Sequence, residues 1–285
     1  MLSVVIPTYN RANYLSKALA SLVEQDFAKE KFEVIVVDDG SIDDTEKTAK
    51  QFKDRLSLKY LKEEHGGVSQ ARNSGVKNSG GEIIVFFDDD ALADKNWLKN
   101  ISEIMLHEAI ITGRVKPLNN NLWQYFAPHY YQGDQPTESP VLLEGNCAIK
   151  REVFAKVGLF DANLDYGHEG REFIGRCRKE YKIRYYPDVI IYHDYASSIK
   201  NYLDKQRKFG EKTAYLKIKE IKNFGDLIFN YQKIKSGDSL NSFTPFQKPS
   251  LSDRLKVKMI AKLGGWYHFM GAVRGYLKYK QNAKN

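Results

Sequence analysis

The chain has 285 residues, of which 42% are hydrophobic and 28% charged, with only 8 prolines, a balance that fits a folded globular protein and excludes a fibrous or largely disordered one. Its two cysteines, Cys147 and Cys177, are too few for a disulfide framework or a cysteine-rich metal site, so a reducing, cytoplasmic setting is expected. The net charge of +8 is unevenly spread: residues 1–196 hold 25 Lys and Arg against 30 Asp and Glu, and residues 197–285 hold 19 against 6.

From Met1 the chain runs straight into an apolar stretch, "LSVVIP" (2–7), with no basic segment or small-residue cleavage site before it, so no signal peptide is expected. Nor does any apolar run approach the roughly 18 residues that would span a bilayer. "YLSKALASLVEQ" (14–25) places Leu15, Leu19, Leu22 and Val23 on one helical face. "FEVIVVDD" (32–39) is a β-branched strand pattern, and a polar helix-compatible stretch follows at 43–53. "SLKYLK" (57–62) is a weaker strand, "GVSQARNSGVKNS" (67–79) a helix, and "EIIVFF" (82–87) a buried strand. Strands separated by helices predict an α/β fold, a mostly parallel central sheet of Rossmann-like kind flanked by helices.

Three of these strands end in polar clusters: "PTYN" (7–10), "DDGS" (38–41) and "DDD" (88–90). In a parallel sheet all three fall along one rim, where ligands gather at the carboxyl ends of strands. Adjacent carboxylates repel one another, and a divalent cation relieves that repulsion; clustered oxygen ligands suit Mg²⁺ or Mn²⁺ together with substrate phosphates. Helix caps and turns are the other use of such aspartates. No Gly-rich dinucleotide fingerprint follows the first strand, and there is no P-loop.

The stretches "VVIPTYNRANYLSKALASLVEQ", "FEVIVVDDGSIDDT" and "GGVSQARNSGVKNSGGEIIVFFDDDALADKNWL" resemble the nucleotide-binding half of a glycosyltransferase family 2 enzyme with the GT-A fold. The resemblance continues through residues 144–193, similar to the acceptor-side half of such enzymes. It implies three segments: a nucleotide-sugar-binding half (1–115), an acceptor half (116–196) and a helical basic C-terminal extension (197–285). It also implies an inverting, metal-dependent transfer of a sugar from a nucleotide diphosphate sugar, UDP-linked by family habit, to a hydroxyl of a glycan or lipid-linked acceptor. By the family pattern Thr8 and Tyr9 hold the base, Asp39 accepts a hydrogen bond from its ring N–H, and Arg72 faces the diphosphate. Asp88, Asp89 and Asp90 match the DxD position, with Asp89 nearer the ribose, Asp90 on the metal and Asp88 open to either role. His193, closing "VIIYH", corresponds to a histidine that helps hold the metal or the diphosphate.

An in-line sugar transfer needs a carboxylate to take the acceptor's proton. The family places it in a Glu-Asp pair at a helix start; here the stretch is "YGHEGREFIGRCRK", with Glu169 in the first position and Gly170 where the aspartate is expected. Glu169 is the expected base, since a loop can aim the first residue of a helix into a cleft; Glu172 is the alternative, unless it pairs with Arg176 at i+4. Aromatics at 116–145, among them Trp123, Tyr125, Tyr130 and Tyr131, could line the sugar pocket.

Beyond residue 196 no chemical motif stands out. The segments 199–221 and 254–280 are helical patterns rich in Lys and aromatic residues, joined by a loop at 235–253 with turn residues and two prolines. Trp266, Phe269, Met270, Val273 and Leu277 recur at helical spacing as an apolar face flanked by Tyr267 and Tyr276. Such a face, edged by Lys and Arg, suits either an anionic membrane surface on the cytoplasmic side or packing back on the catalytic body. Nucleic acid is not an expected partner. Two other functions stay open at this stage: a polyprenyl-phosphate glycosyltransferase, and a non-catalytic nucleotide-sugar-binding partner in a glycan assembly complex.

Overall fold

The computed structural model describes residues 1–119, 121–217, 225, 227 and 250–282. They form two compact units. The first comprises Met1–Leu118, Tyr130–Asp165 and Glu169–His193; the second comprises described residues of Asn119–His129, Tyr166–His168 and Asp194–Asn285.

The first unit is built on one mixed sheet. β1 (Leu2–Thr8), β2 (Phe32–Asp38), β3 (Leu58–Lys62) and β4 (Ile83–Phe87) form its parallel half, in the order β3-β2-β1-β4. β5 (Leu92–Ala93), β6 (Ile110–Lys116), β7 (Thr137–Glu138), β8 (Asn146–Lys150) and β9 (Arg184–Tyr192) complete it, with β8 joining antiparallel to β4. The strand pattern dictates two apolar layers, because successive side chains point to opposite faces. Val4, Ile6, Val34, Val36, Val85 and Phe87 point to one side, where Leu15, Leu19 and Leu22 of α1 (Ala12–Val23) and Trp97, Leu98 and Ile101 of α4 (Trp97–Ile104) cover them. Val5, Ile35, Val37, Ile84 and Phe86 point to the other, beneath α3 (Val68–Asn78), α5 (Arg151–Val157) and α6 (Glu169–Cys177). The short α2 (Thr45–Lys50) packs against α1. Sheet and helices therefore form the expected α/β architecture, with both faces of the parallel half covered, as such sheets require.

The second unit contains α7 (Ile199–Lys217) and α8 (Leu251–Asn282), packed along each other. Ala214, Ala272 and Tyr276 form their shared core with Leu227, and Phe269 and Val273 pack against it. The expected apolar face of α8 is thereby divided. Phe269 and Val273 turn toward α7, whereas Trp266, Met270 and Leu277 are 60%, 47% and 53% exposed. The cause is the helical period: the centres of the two sets lie about 60° apart around α8. The ring of Trp123, one of the four expected pocket aromatics, stacks on Tyr202 and tilts against Phe126, in a cluster with Ala196 and Ile260. The C-terminal extension is helical over its described residues; most of the predicted loop at 235–253 lies outside them.

Candidate active site

Parallel register sets the site. Thr8 pairs with Asp38 at the ends of β1 and β2, and β4 runs beside β1 on its other flank, so residues 8–10, 38–41 and 88–90 meet along one edge. The chain leaves β1 toward β2 on one side and β4 on the other, the switch point where open α/β sheets bind ligands. Asp38 is structural: it accepts from the Ser41 amide at 2.7 Å and from the Tyr60 hydroxyl, and is fully buried. Asp39 accepts from the amides of Gly66 and Gly67 at 2.7 and 3.0 Å and lies 2.8 Å from His65 Nδ1. The same imidazole stacks on exposed Tyr9, ring centroids 4.2 Å apart. Tyr9, His65 and Asp39 thus present a flat ring surface beside an oriented acceptor.

The three consecutive aspartates diverge. Asp89 and Asp90 share the guanidinium of Arg11, whose Nη1 donates to Asp89 Oδ1 at 3.0 Å and to Asp90 Oδ2 at 2.7 Å. Thr8 Oγ1 donates to Asp89 Oδ2 at 2.7 Å. Burial pushes Asp89 up to about 7; Arg11 opposes this and the charge of Asp90 adds to it. Burial works against the charge of Arg11, yet the two aspartates outweigh it and hold the guanidinium firmly protonated. On the far side of Asp90, its Oδ1 lies 3.2 Å from His193 Nε2, and His193 Nδ1 is 3.3 Å from the Tyr130 hydroxyl.

Asp88 turns the other way. It accepts from Arg72 Nη2 at 3.2 Å, while Arg72 Nη1 donates to Glu169 Oε1 at 2.8 Å. Arg72 and Glu169 are only 4% and 5% exposed, so the surface-helix alternative for Arg72 is excluded. Burial disfavours the charge of Arg72, but Glu169, Asp88 and Glu144 together raise its pKa. Two polar atoms in this buried group, Arg72 Nε and Glu169 Oε2, have no hydrogen-bond partner. An unpaired buried carboxylate oxygen is costly, so this atom is open to a hydrogen bond from a ligand group or a water. Glu172 sits apart, gripped by Arg176 through Nε at 2.7 Å and Nη2 at 2.8 Å, while that arginine also donates to the Leu159 carbonyl at 2.7 Å. This is a helix-anchoring pair, and of the two glutamates only Glu169 joins the cluster.

Among the described residues, no group of three or more His, Cys, Asp or Glu side chains is arranged to hold a metal ion. The donors still fit a hard divalent cation. Asp90 and His193 face each other at 3.2 Å, and a positive charge, that of Arg11, already bridges Asp89 and Asp90. Mg²⁺-type sites commonly use one or two protein carboxylates and complete their shell with phosphate oxygens and water. Arg11, His65 and Glu144 were not singled out by the sequence reading. Arg11 follows "PTYN" directly, and its position at a strand end was the available signal; its pairing with residues 78 and 79 positions away was not readable.

The sheet order and the acidic edge after its fourth strand agree with the GT-A architecture expected from the sequence, and the family match and solved neighbours bear that fold out. Residues 3–158 match the family model described as Glycosyl transferase family 2, and the chain belongs to that family. It is 36% identical over 121 residues to the poly(ribitol-phosphate) beta-N-acetylglucosaminyltransferase TarS of Staphylococcus aureus, covering 41% of this chain and 21% of that protein. With the validoxylamine A glucosyltransferase of Streptomyces hygroscopicus subsp. jinggangensis it shares 42% over 103 residues, covering 35% of this chain and 24% of that one. The matches thus span less than a quarter of these curated relatives. In structure the chain is similar to S. aureus TarS 1–349, with a TM-score of 0.61 at 18% identity over 99% of this chain and 91% of that one. It is likewise similar to a mannosyltransferase from Pyrobaculum calidifontis in complex with GDP-Man and Mn²⁺, with a TM-score of 0.65 at 20% identity over 97% and 86%.

Proposed function

We propose that this protein is an inverting glycosyltransferase that moves a sugar from a nucleotide diphosphate sugar to a hydroxyl of a glycan or lipid-linked acceptor in cell-surface polysaccharide or glycolipid synthesis. The observation that carries this reading is the buried Arg72–Glu169 pair with Glu169 Oε2 left unpartnered, next to the acidic strand edge. UDP is the favoured nucleotide. Tyr9 and Thr8 take the base, Asp39 accepts from its ring N–H, Asp89 lies toward the ribose, and Asp88 and Arg72 border the diphosphate and sugar. Asp90 and His193 would hold a Mn²⁺ or Mg²⁺ ion, which when bound neutralises the charge of the departing diphosphate. The Pyrobaculum calidifontis mannosyltransferase is in complex with GDP-Man and Mn²⁺, and S. aureus TarS 1–349 is also solved in complex with UDP-GlcNAc, which supports this donor class.

Glu169 is the group that takes the acceptor's proton. The hydroxyl O–H breaks, its proton passes to the carboxylate, and the oxygen's electron pair forms the new bond to the anomeric carbon. The bond from that carbon to the diphosphate breaks on the opposite face, and its electron pair leaves with the nucleoside diphosphate. Arg72 Nη1 donates to Glu169 Oε1 at 2.8 Å and so fixes the orientation of the carboxylate, as a positioned base requires. The test is release of UDP from UDP-GlcNAc, or GDP from GDP-mannose, by the intact chain with and without Mn²⁺. Metal-dependent release supports the reading, whereas tight binding of both donors with no turnover for any hydroxyl acceptor would make the protein a nucleotide-sugar binder.

The second unit fits an anionic membrane surface. Leu255, Met259, Leu263, Trp266, Met270 and Leu277 form an exposed stripe along α8, interspersed with Arg254, Lys256, Lys258, Lys262, Arg274 and Lys278. Basic, aromatic-bearing amphipathic helices lie in such interfaces. Among the described residues no helix is long and apolar enough to cross a membrane. The proposed location is therefore the cytoplasmic membrane face, bound peripherally. Flotation with phosphatidylglycerol vesicles checks this: binding should be lost in Trp266→Lys/Met270→Lys and weakened by salt, and an intact chain that ignores such vesicles at low salt overturns it.

A further inference from the structure

The place of the missing carboxylate at position 170 is filled from elsewhere. A Cβ built on Gly170 would stand 2.1 Å from Glu144 Oε1 and 2.6 Å from its Cδ, closer than side chains approach. The Gly170 amide donates to that same oxygen at 2.6 Å. Glu144 comes from the connection between β7 and β8, and its neighbour Gly145 is equally tight against Asp88, whose Oδ2 lies 2.0 Å from a Cβ built there. The connection is thus wedged between the end of β4 and the first turn of α6, and two glycines are what allow it in. The Gly170 amide is one of the orphan donors at a helix start, and a carboxylate is its natural partner. Burial, followed by the charge of Glu169, pushes Glu144 up to about 8, against the pull of Arg72 and the Gly170 amide, so the two glutamates sense each other.

We propose that Glu144 and Gly170 act as a couple, in which the glycine makes room for a carboxyl delivered from the β7–β8 connection and this carboxyl holds Glu169 in its proton-accepting arrangement. Glu144 is a positioning residue: the acceptor's proton goes to Glu169, and Glu144 acts through the grip of its carboxyl group on the α6 start. The inference rests on the reading of Glu169 as base.

The test is steady-state release of UDP from UDP-GlcNAc with Mn²⁺ by the full chain and four variants, each checked for melting temperature and UDP affinity. Glu144→Gln keeps the volume and an oxygen for the Gly170 amide. If the carboxyl matters, its kcat falls about tenfold with KM within about twofold. Glu144→Ala falls at least as far. Adding Gly170→Asp to Glu144→Ala moves a carboxyl to the vacated space and should restore kcat to within about fivefold of the parent. A wild-type kcat in Glu144→Gln, or a swap no better than Glu144→Ala despite normal UDP affinity, overturns the proposal. Glu169→Gln separates the two readings. Inactivity there alongside a fully active Glu144→Gln overturns only the couple, and full activity of Glu169→Gln removes the base assignment on which the couple rests.

Discussion

The first unit holds two arginine-centred acidic groups within a few residues of each other, and they are built for different tasks. Around Arg11, Asp89 and Asp90 share a cation whose own side chain is 42% exposed. Around Arg72, Glu169 and Asp88 bind a guanidinium that is 5% exposed. An exposed cation between carboxylates can swing away when another positive charge arrives, because its guanidinium is hydrated as it leaves and the incoming charge takes its place beside the acids. A buried cation cannot, because removing it leaves uncompensated charge in a low-dielectric site. The comparison therefore separates an exchangeable edge, suited to a donor and its cation, from a fixed one, suited to holding a base.

The largest effect should come from breaking the fixed group at its chemical end. Glu169→Gln should lower sugar transfer by about 10³-fold, within the range for loss of a general base, while UDP affinity changes less than about threefold. Steady-state kinetics beside calorimetric UDP titration checks both halves of that statement. Arg72→Met should break the same group structurally, leaving Glu169, Asp88 and Glu144 without their shared cation. It should cost about 3 kcal/mol and lower the melting temperature by roughly 6–12 °C, read by calorimetry. Arg11→Ala should be milder in stability, below about 1 kcal/mol, and opposite in sign for metal. With Arg11 gone, half-maximal activity should need several-fold less Mn²⁺, since the ion no longer competes with a guanidinium for Asp89 and Asp90. EDTA should abolish turnover in both proteins.

The smallest effect is a pH dependence of stability. The Glu144 carboxyl is raised from an ordinary value of 4.5 to about 8, mainly by burial and by Glu169. A group raised on folding favours the folded state while protonated, so its contribution is complete below about 4.5 and is lost as pH climbs through about 8. Its neighbours Arg72 and Glu169 are common to both proteins compared. Between pH 6 and 8.5 the melting temperature of the parent should therefore fall more than that of Glu144→Gln, by differential scanning fluorimetry.

The sheet and its acidic edge were legible because local rules and the global fold agree there. Alternating apolar residues in "VVIP", "VIVV" and "IIVFF" carry the two-layer pattern, and each run ends where polar residues begin. The position of Glu169 at a helix start was legible, and the i+4 spacing of Glu172 and Arg176 already suggested why that glutamate is engaged elsewhere. What remained hidden depends on tertiary register. Nothing local to Arg11 points to Asp89 and Asp90, and Gly170 reads as a loss until Glu144 is seen occupying its space. The α8 face was legible only in part for a related reason: helical spacing predicts which residues share a face, but only packing with α7 selects which of them are buried.

The central claim is that the ends of β1, β2 and β4 grip the donor's diphosphate through a cation at Asp90. Anomalous diffraction at the manganese edge from crystals grown with UDP and Mn²⁺ tests it directly. The account predicts a peak at coordination distance, about 2.1 Å, from Asp90 and a diphosphate oxygen, with Arg11 displaced from Asp90. A nucleotide bound elsewhere, with Arg11 still bridging Asp89 and Asp90 and no ion beside them, would contradict it.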